Sequence, residues 1–158
     1  MHEDRRGLFA RTFCAREFKE HGLASGFVQC NVSLNRKKGT LRGLHFQRPP
    51  ACEIRLVRCI AGALYDVMVD LREDSPTYRQ HLGVELTARN RRALYIPERF
   101  AHGFQALEDD TEVFYQISEY YMPEVSAGLR YDDPKLGVKW PLPVANLSER
   151  DANWPLLI

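Results

Sequence analysis

The sequence predicts an all-β sandwich or barrel carrying one or two short helices. Three observations predict it. Short runs alternate polar and apolar residues with a period of two, as at 27–33, 54–60 and 81–86. Turn-forming residues punctuate these runs at short intervals, as at Ala61-Gly62-Ala63 and Glu73-Asp74-Ser75-Pro76. Helical composition is confined to residues 15–22 and to the segment after Ser148. A barrel of this kind can hold a ligand in its mouth, lined by inward-facing residues of alternate strands.

Taken in order, Arg5 to Phe9 puts charged and aromatic groups beside the first residue, which suggests a segment tied down onto the body. Residues 15–22 place charges on one side of a helix, with Gly22 as its stop. The run 27–33 reads as a strand, and the basic turn Asn35-Arg36-Lys37-Lys38 leads into the next one, residues 41–47. There Leu41, Gly43, His45 and Gln47 should face one way and Arg42, Leu44 and Phe46 the other. Pro49-Pro50 ends it. Further strands are expected over 54–60, 64–71, 81–86, 93–96, a segment entering from 98–105, and 112–117. Pro123 opens an irregular stretch that runs to Trp140-Pro141. Ser148 can cap a short helix and so return Asp151 to the body of the protein.

The 158 residues suit one domain, 1–158, with a sizeable core. Lys plus Arg number 22 against 21 for Asp plus Glu, a balance that favours neither nucleic acid nor an anionic membrane as partner. No apolar run reaches membrane-spanning length and no leader pattern opens the chain, so a cytoplasmic protein is expected. Cys14, Cys30, Cys52 and Cys59 form no C-x-x-C pair and no zinc pattern. Cys30 and Cys59 read as small core residues, and no structural disulfide is expected in a reducing compartment.

Polar residues stranded in apolar runs are the candidates for chemistry: Arg42, His45, Gln47, Arg55, Asp66, His102 and Tyr115. His45 is the foremost, because histidine changes charge near neutral pH and can act as a base. Each alone also has a bland reading: a core histidine held by one bond, a hydrogen-bonded carboxylate, a packed tyrosine. The sequence carries no glycine-rich phosphate loop, no Gly-x-Ser-x-Gly and no dinucleotide fingerprint.

Six stretches narrow the choice. They are Leu-Arg-Gly-Leu-His-Phe-Gln (41–47), Leu-Val-Arg-Cys (56–59), Tyr-Asp-Val-Met-Val-Asp-Leu-Arg (65–72), Ser-Pro-Thr-Tyr (75–78), Ile-Pro-Glu-Arg-Phe-Ala-His-Gly-Phe (96–104) and Tyr-Asp-Asp-Pro-Lys-Leu-Gly-Val-Lys-Trp-Pro (131–141). In this order and spacing they resemble the dTDP-4-dehydrorhamnose 3,5-epimerase family over nearly the whole chain. The resemblance implies a cupin-like β-barrel (jelly roll), a homodimer, and epimerisation of a nucleotide-linked 4-keto-6-deoxyhexose through an enolate, with no cofactor and no metal. It implies His45 as catalytic base, Asp151 as the acid that orients it, and Tyr115 as proton donor on the opposite face of the sugar. Arg42, Gln47, Arg55 and His102 match substrate-pocket positions, and Arg6, Phe9, Gln29 and Asn31 the region holding the nucleotide, partly from a neighbouring subunit.

The residue types suit that chemistry. A proton beside a ketone is weakly acidic, so the developing enolate needs a positive or hydrogen-bonding partner, which Arg42 or Arg55 can supply. A metal-holding cupin would pair two histidines one residue apart on the first motif, where this chain has His45 and Gln47. The chain departs from the family in three places: Arg55 stands where lysine is usual, Arg11 where several members carry glutamate, and the sequence starts after the family's leading strand. Inversion of one centre only, action on a different nucleotide sugar, or binding without turnover are the alternatives that these departures leave open.

Overall fold

The computed structural model describes residues 2–157. Its strands are β1 (His2–Asp4), β2 (Gly7–Phe9), β3 (Gln29–Asn35), β4 (Leu41–Gln47), β5 (Arg55–Ala61), β6 (Ala63–Asp70), β7 (His81–Thr87), β8 (Ala93–Ile96), β9 (Phe100–Ala106), β10 (Thr111–Ile117) and β11 (Ser126–Gly128). The helices are α1 (Ala15–Glu20) and α2 (Glu149–Ala152). The main strands form two antiparallel sheets, ordered β3-β10-β5-β8 and β11-β4-β9-β6-β7. The all-β expectation holds, and the long strands start within two residues of where alternation put them.

Two apolar clusters set the position of everything else. Val57, Cys59, Leu64, Leu86, Ile96, Phe104 and Val113 come from both sheets and close one end of the space between them. Leu44, Val67, Val69 and Ala101 lie on the other face of the five-stranded sheet, under Leu129 and Leu136. The pleat of β6 explains the split: Leu64 joins the first cluster, Val67 and Val69 the second. Each fully buried Leu or Val removes enough apolar surface to favour folding by about 1.5–3 kcal/mol. The end of the inter-sheet space left unfilled by these clusters is where polar side chains gather.

β4 and β9 cross unusually closely. The register between them shifts between Arg42 and His45. At Gly43 φ is +133°, and a Cβ there would stand 2.4 Å from the Cα of Gly103. Only glycine on both strands permits this approach. The shift brings Arg42 into the same cavity as His45, although strict alternation would point them apart. It also sets His45 directly opposite His102.

The C-terminal segment returns along the start of β4. Leu41 N donates to Asn146 O at 2.9 Å and Ala145 N to Gly39 O at 3.0 Å. Ser148 caps α2, its Oγ accepting from Asp151 N at 3.1 Å. The short helix delivers Asp151 to β4, as the Ser148 signal suggested.

Three readings need correction. β1 and β2 form a hairpin that pairs only with itself, with every residue exposed, so the amino-terminal segment is not tied onto the body of this chain. What is tied down begins later: Phe13, Phe18, Phe27 and Tyr95 form an aromatic cluster, and Arg58 Nη2 donates to Thr12 O at 2.6 Å. Cys30 is exposed, because β3 is an edge strand and its even-numbered residues face outward; Cys59 is buried as expected. The stretch after Pro123 also contains a strand, β11, which pairs with β4. Among the described residues no helix is long and apolar enough to cross a membrane.

Candidate active site

A cavity of about 690 Å³ opens between the sheets, walled by β3, β4, β5, β9 and β10 and by the segment around α2. That volume suits a small organic ligand. His45, Tyr115 and Asp151 all line it, together with Gln29, Asn31, Arg42, Gln47, Arg55 and His102. Odd-numbered residues of β3 and β10 face it because those strands pair Tyr115 with Asn31 and Ile117 with Gln29.

His45 Nε2 lies 2.6 Å from Asp151 Oδ1. Burial alone would push the Asp151 carboxyl up, but bonds from His45, from Gly43 N at 3.3 Å and from Trp154 Nε1 at 3.3 Å outweigh it and hold the group below its ordinary value. An ionised carboxylate only accepts, so Nε2 carries a proton, and in the neutral imidazole the lone pair is then on Nδ1. Nδ1 has no partner among the described residues, and the side chain is 34% exposed, toward the cavity. Trp154 supports the pair from behind. Its ring lies against Gly128 of β11, where a Cβ would come within 2.3 Å of the indole.

A second histidine–carboxylate pair lies on the same wall. His102 Nε2 is 2.8 Å from Asp66 Oδ1, but the two are not aligned as a hydrogen bond: neither this nitrogen nor either Asp66 oxygen has a hydrogen-bond partner among the described residues. His102 Nδ1 lies 3.1 Å from Arg55 Nη1. Arg55 is in turn paired with Glu53. The second carboxylate of that wall strand, Asp70, is spent elsewhere: it accepts from Arg72, Ser75 and Thr77, and Arg72 above all holds it well below the usual carboxylate range.

The other expected residues divide. Arg42 reaches the cavity with Nε donating to Asn35 Oδ1 at 2.8 Å. Gln29 Oε1 accepts from Tyr121 N at 2.8 Å. Gln47 lines the cavity, but its amide is occupied by backbone: Nε2 donates to Ala51 O at 2.9 Å and to Tyr120 O, and Oε1 accepts from Met122 N at 2.6 Å. It props two loops. Arg6 and Phe9 do not reach the cavity of this chain. Arg6 is paired with Asp4 in the exposed hairpin, and Phe9 is 72% exposed. Arg11 is also outward, 3.2 Å from Glu17.

Among the lining residues that the sequence reading did not single out are Glu53, Tyr121, Ser126 and Arg150. Arg150 Nη2 donates to Ser126 Oγ at 2.9 Å, and Arg150 with Ser126 holds the Tyr121 phenol below its ordinary value. Glu53 was legible, since alternation puts it on the same face as Arg55. Tyr121 and Ser126 lie in the stretch after β10 and Arg150 in the returning C-terminal segment, where the sequence gives no periodicity. Among the described residues no group of three or more His, Cys, Asp or Glu could hold a metal ion.

Comparison with known proteins agrees with this geometry. The family model described as dTDP-4-dehydrorhamnose 3,5-epimerase matches residues 1–158. The dTDP-4-dehydrorhamnose 3,5-epimerase of Methanothermobacter thermautotrophicus is 47% identical over 157 residues, covering 98% of this chain and 84% of the relative. The crystal structure of the Bacillus anthracis enzyme with TDP and PPi bound superposes with a TM-score of 0.95 at 42% identity, covering 98% of this chain and 88% of that one. The Legionella pneumophila enzyme in complex with dTDP-4-keto-L-rhamnose gives 0.91 at 41% identity, with 97% and 81% covered. With motifs, fold and cavity in agreement, the chain belongs to the dTDP-4-dehydrorhamnose 3,5-epimerase family, sugar-nucleotide isomerases built on the cupin fold.

Proposed function

We propose that the described chain works as one cupin domain that epimerises a dTDP-linked 4-keto-6-deoxyhexose at C3 and C5 without a cofactor. The observation that carries this reading is the His45–Asp151 pair, 2.6 Å apart, with the free Nδ1 on a cavity that Tyr115 also lines. Asp151 fixes the tautomer and raises the basicity of the imidazole. Nδ1 takes the proton beside the ketone, and the C–H electron pair moves into the new enolate, its charge resting on the C4 oxygen. Arg55 or Arg42 offsets that charge. Tyr115 gives a proton to the carbon from the opposite face, which inverts the centre, and solvent restores both side chains.

Gln29 and Asn31 on β3 line the cavity and are assigned to the nucleotide. Arg6 and Phe9 fit as donors to the cavity of a second copy, in a homodimer. The outward row Val28, Cys30, Val32 and Leu34 on edge strand β3 supports that assembly, because an exposed apolar edge invites pairing.

The test is incubation with dTDP-4-keto-6-deoxy-glucose in deuterated water, with products read by NMR. Deuterium at both C3 and C5 with inversion at both is expected; deuterium at C3 alone would establish the single-centre reading that Arg55 keeps open, and binding without exchange would overturn catalysis. In Tyr115→Phe, exchange should persist while inversion falls about 10²-fold or more. Normal inversion at both centres in that variant removes the tyrosine from the mechanism.

A further inference from the structure

Four ionisable side chains stand in a row: Glu53, Arg55 and His102 on one wall of the cavity, and Asp66 buried behind His102. Nearly all of this row is out of water. Side-chain exposure is 5% for Glu53, 16% for Arg55, 7% for His102 and 0% for Asp66. A buried guanidinium cannot shed its charge, so it needs a fixed counter-charge, and Glu53 is the one in contact.

The hydrogen-bonding inventory fixes more than the pairing. Arg only donates. With Arg55 Nη1 at 3.1 Å, His102 Nδ1 must therefore accept, and the histidine must be neutral with its proton on Nε2. That nitrogen lies 2.8 Å from Asp66 Oδ1, a close polar contact that is not aligned as a hydrogen bond. Nδ1 is then engaged by Arg55, and Nε2 carries the proton. No lone pair is left there for a substrate proton. Of the five guanidinium N–H groups of Arg55, one goes to Glu53 and one to His102, and the side chain faces the cavity with the rest.

We propose that Glu53 is a positioning residue that, with His102 as its opposite anchor, clamps the Arg55 guanidinium into a fixed cation for the substrate oxygen that gains charge. His102 is by this reading a positioning residue as well. The assignment of that oxygen rests on the epimerase reading above; the clamp itself does not. A lysine at this position would hold one mobile point charge. Arginine with Glu53 instead gives a planar group held at two of its corners, which pre-orients the charge before the substrate arrives.

Two measurements on the full chain test it. The first is 15N NMR of the histidine side chains without substrate. His102 should be neutral, with its proton on Nε2 and an acceptor-shifted Nδ1, and Glu53→Gln should move the Nδ1 signal toward that of a free imidazole. A proton on Nδ1 in the wild type, or a signal unmoved by Glu53→Gln, overturns the clamp. The second is kinetics on the dTDP-4-keto sugar. Glu53→Gln should lower kcat roughly 10- to 100-fold and leave KM within about twofold. Because Glu53 acts through Arg55, adding Glu53→Gln to Arg55→Lys should slow that variant by less than about twofold. Fully additive losses, or a rise in KM alone, overturn the proposal. Should Glu53→Gln fail to fold, Glu53→Asp serves both measurements, with a smaller loss expected. Absence of turnover by the wild type would count against the epimerase reading, and the NMR result would still decide the clamp.

Discussion

His45 and His102 face each other across β4 and β9, and each meets a buried aspartate within 2.8 Å. The residue types are the same, though only the His45 pair is aligned as a hydrogen bond. What differs is the remaining nitrogen. His45 offers Nδ1 to the cavity, while His102 Nδ1 is occupied by Arg55. His45 is also partly exposed, whereas His102 is 6% exposed. A carboxylate beside a histidine therefore identifies an oriented imidazole and nothing more. Whether that imidazole can take a substrate proton depends on what its far nitrogen touches.

Substitutions on either side can break or sharpen this contrast. The largest effect is expected for His45→Ala, which should reduce both deuterium incorporation and epimerisation by roughly 10³-fold or more. Wild-type exchange in that variant would place the base elsewhere. Asp151→Asn comes next, with a loss of roughly 10²–10⁴-fold in kcat, since the amide no longer fixes the Nε2–H tautomer. It also has a signature in stability. The Asp151 pKa is lowered in the folded state, so its contribution is complete above the ordinary value of 3.8 and is lost as pH falls below that toward the folded-state value. Wild type should therefore lose stability relative to Asp151→Asn only at pH values below about 3.8, measured by denaturant unfolding at several pH values. The smallest effect is expected for His102→Asn: about tenfold in kcat, with exchange retained, because the loss is one of Arg55 placement. A loss as deep as that of His45→Ala would make His102 a second base and erase the contrast.

Most of the strand framework was legible, because each long strand has one face on a core and one on water or cavity, which writes a period of two into the residues. β6 shows the mechanism plainly, with Leu64 and Val67 on opposite faces. The same rule misled at Cys30. An outward apolar residue on an edge strand has the same pattern as an inward one, and nothing local says which face is covered. β11 was missed because three residues cannot establish a period. Within the site, His45 stood out by itself as a polar residue in an apolar run. Its pairing with Asp151 came only through the family resemblance, since residues 106 positions apart share no local signal. Arg42 was the instructive case. Alternation placed it outside the cavity, and the register shift beside Gly43 put it back. Arg6 and Phe9 came only from the family resemblance, and in this chain they sit on an exposed hairpin that does not line the cavity.

The contact of Gly43 with Gly103 has a consequence for how this enzyme can change. With no side chain between them, the two strands carrying the histidines are separated by backbone alone. The spacing of the two imidazoles is thus a constant of the fold, insensitive to how the surrounding core is repacked. Lining residues outside these two strands, such as Tyr121 and Arg150, can change without altering that spacing.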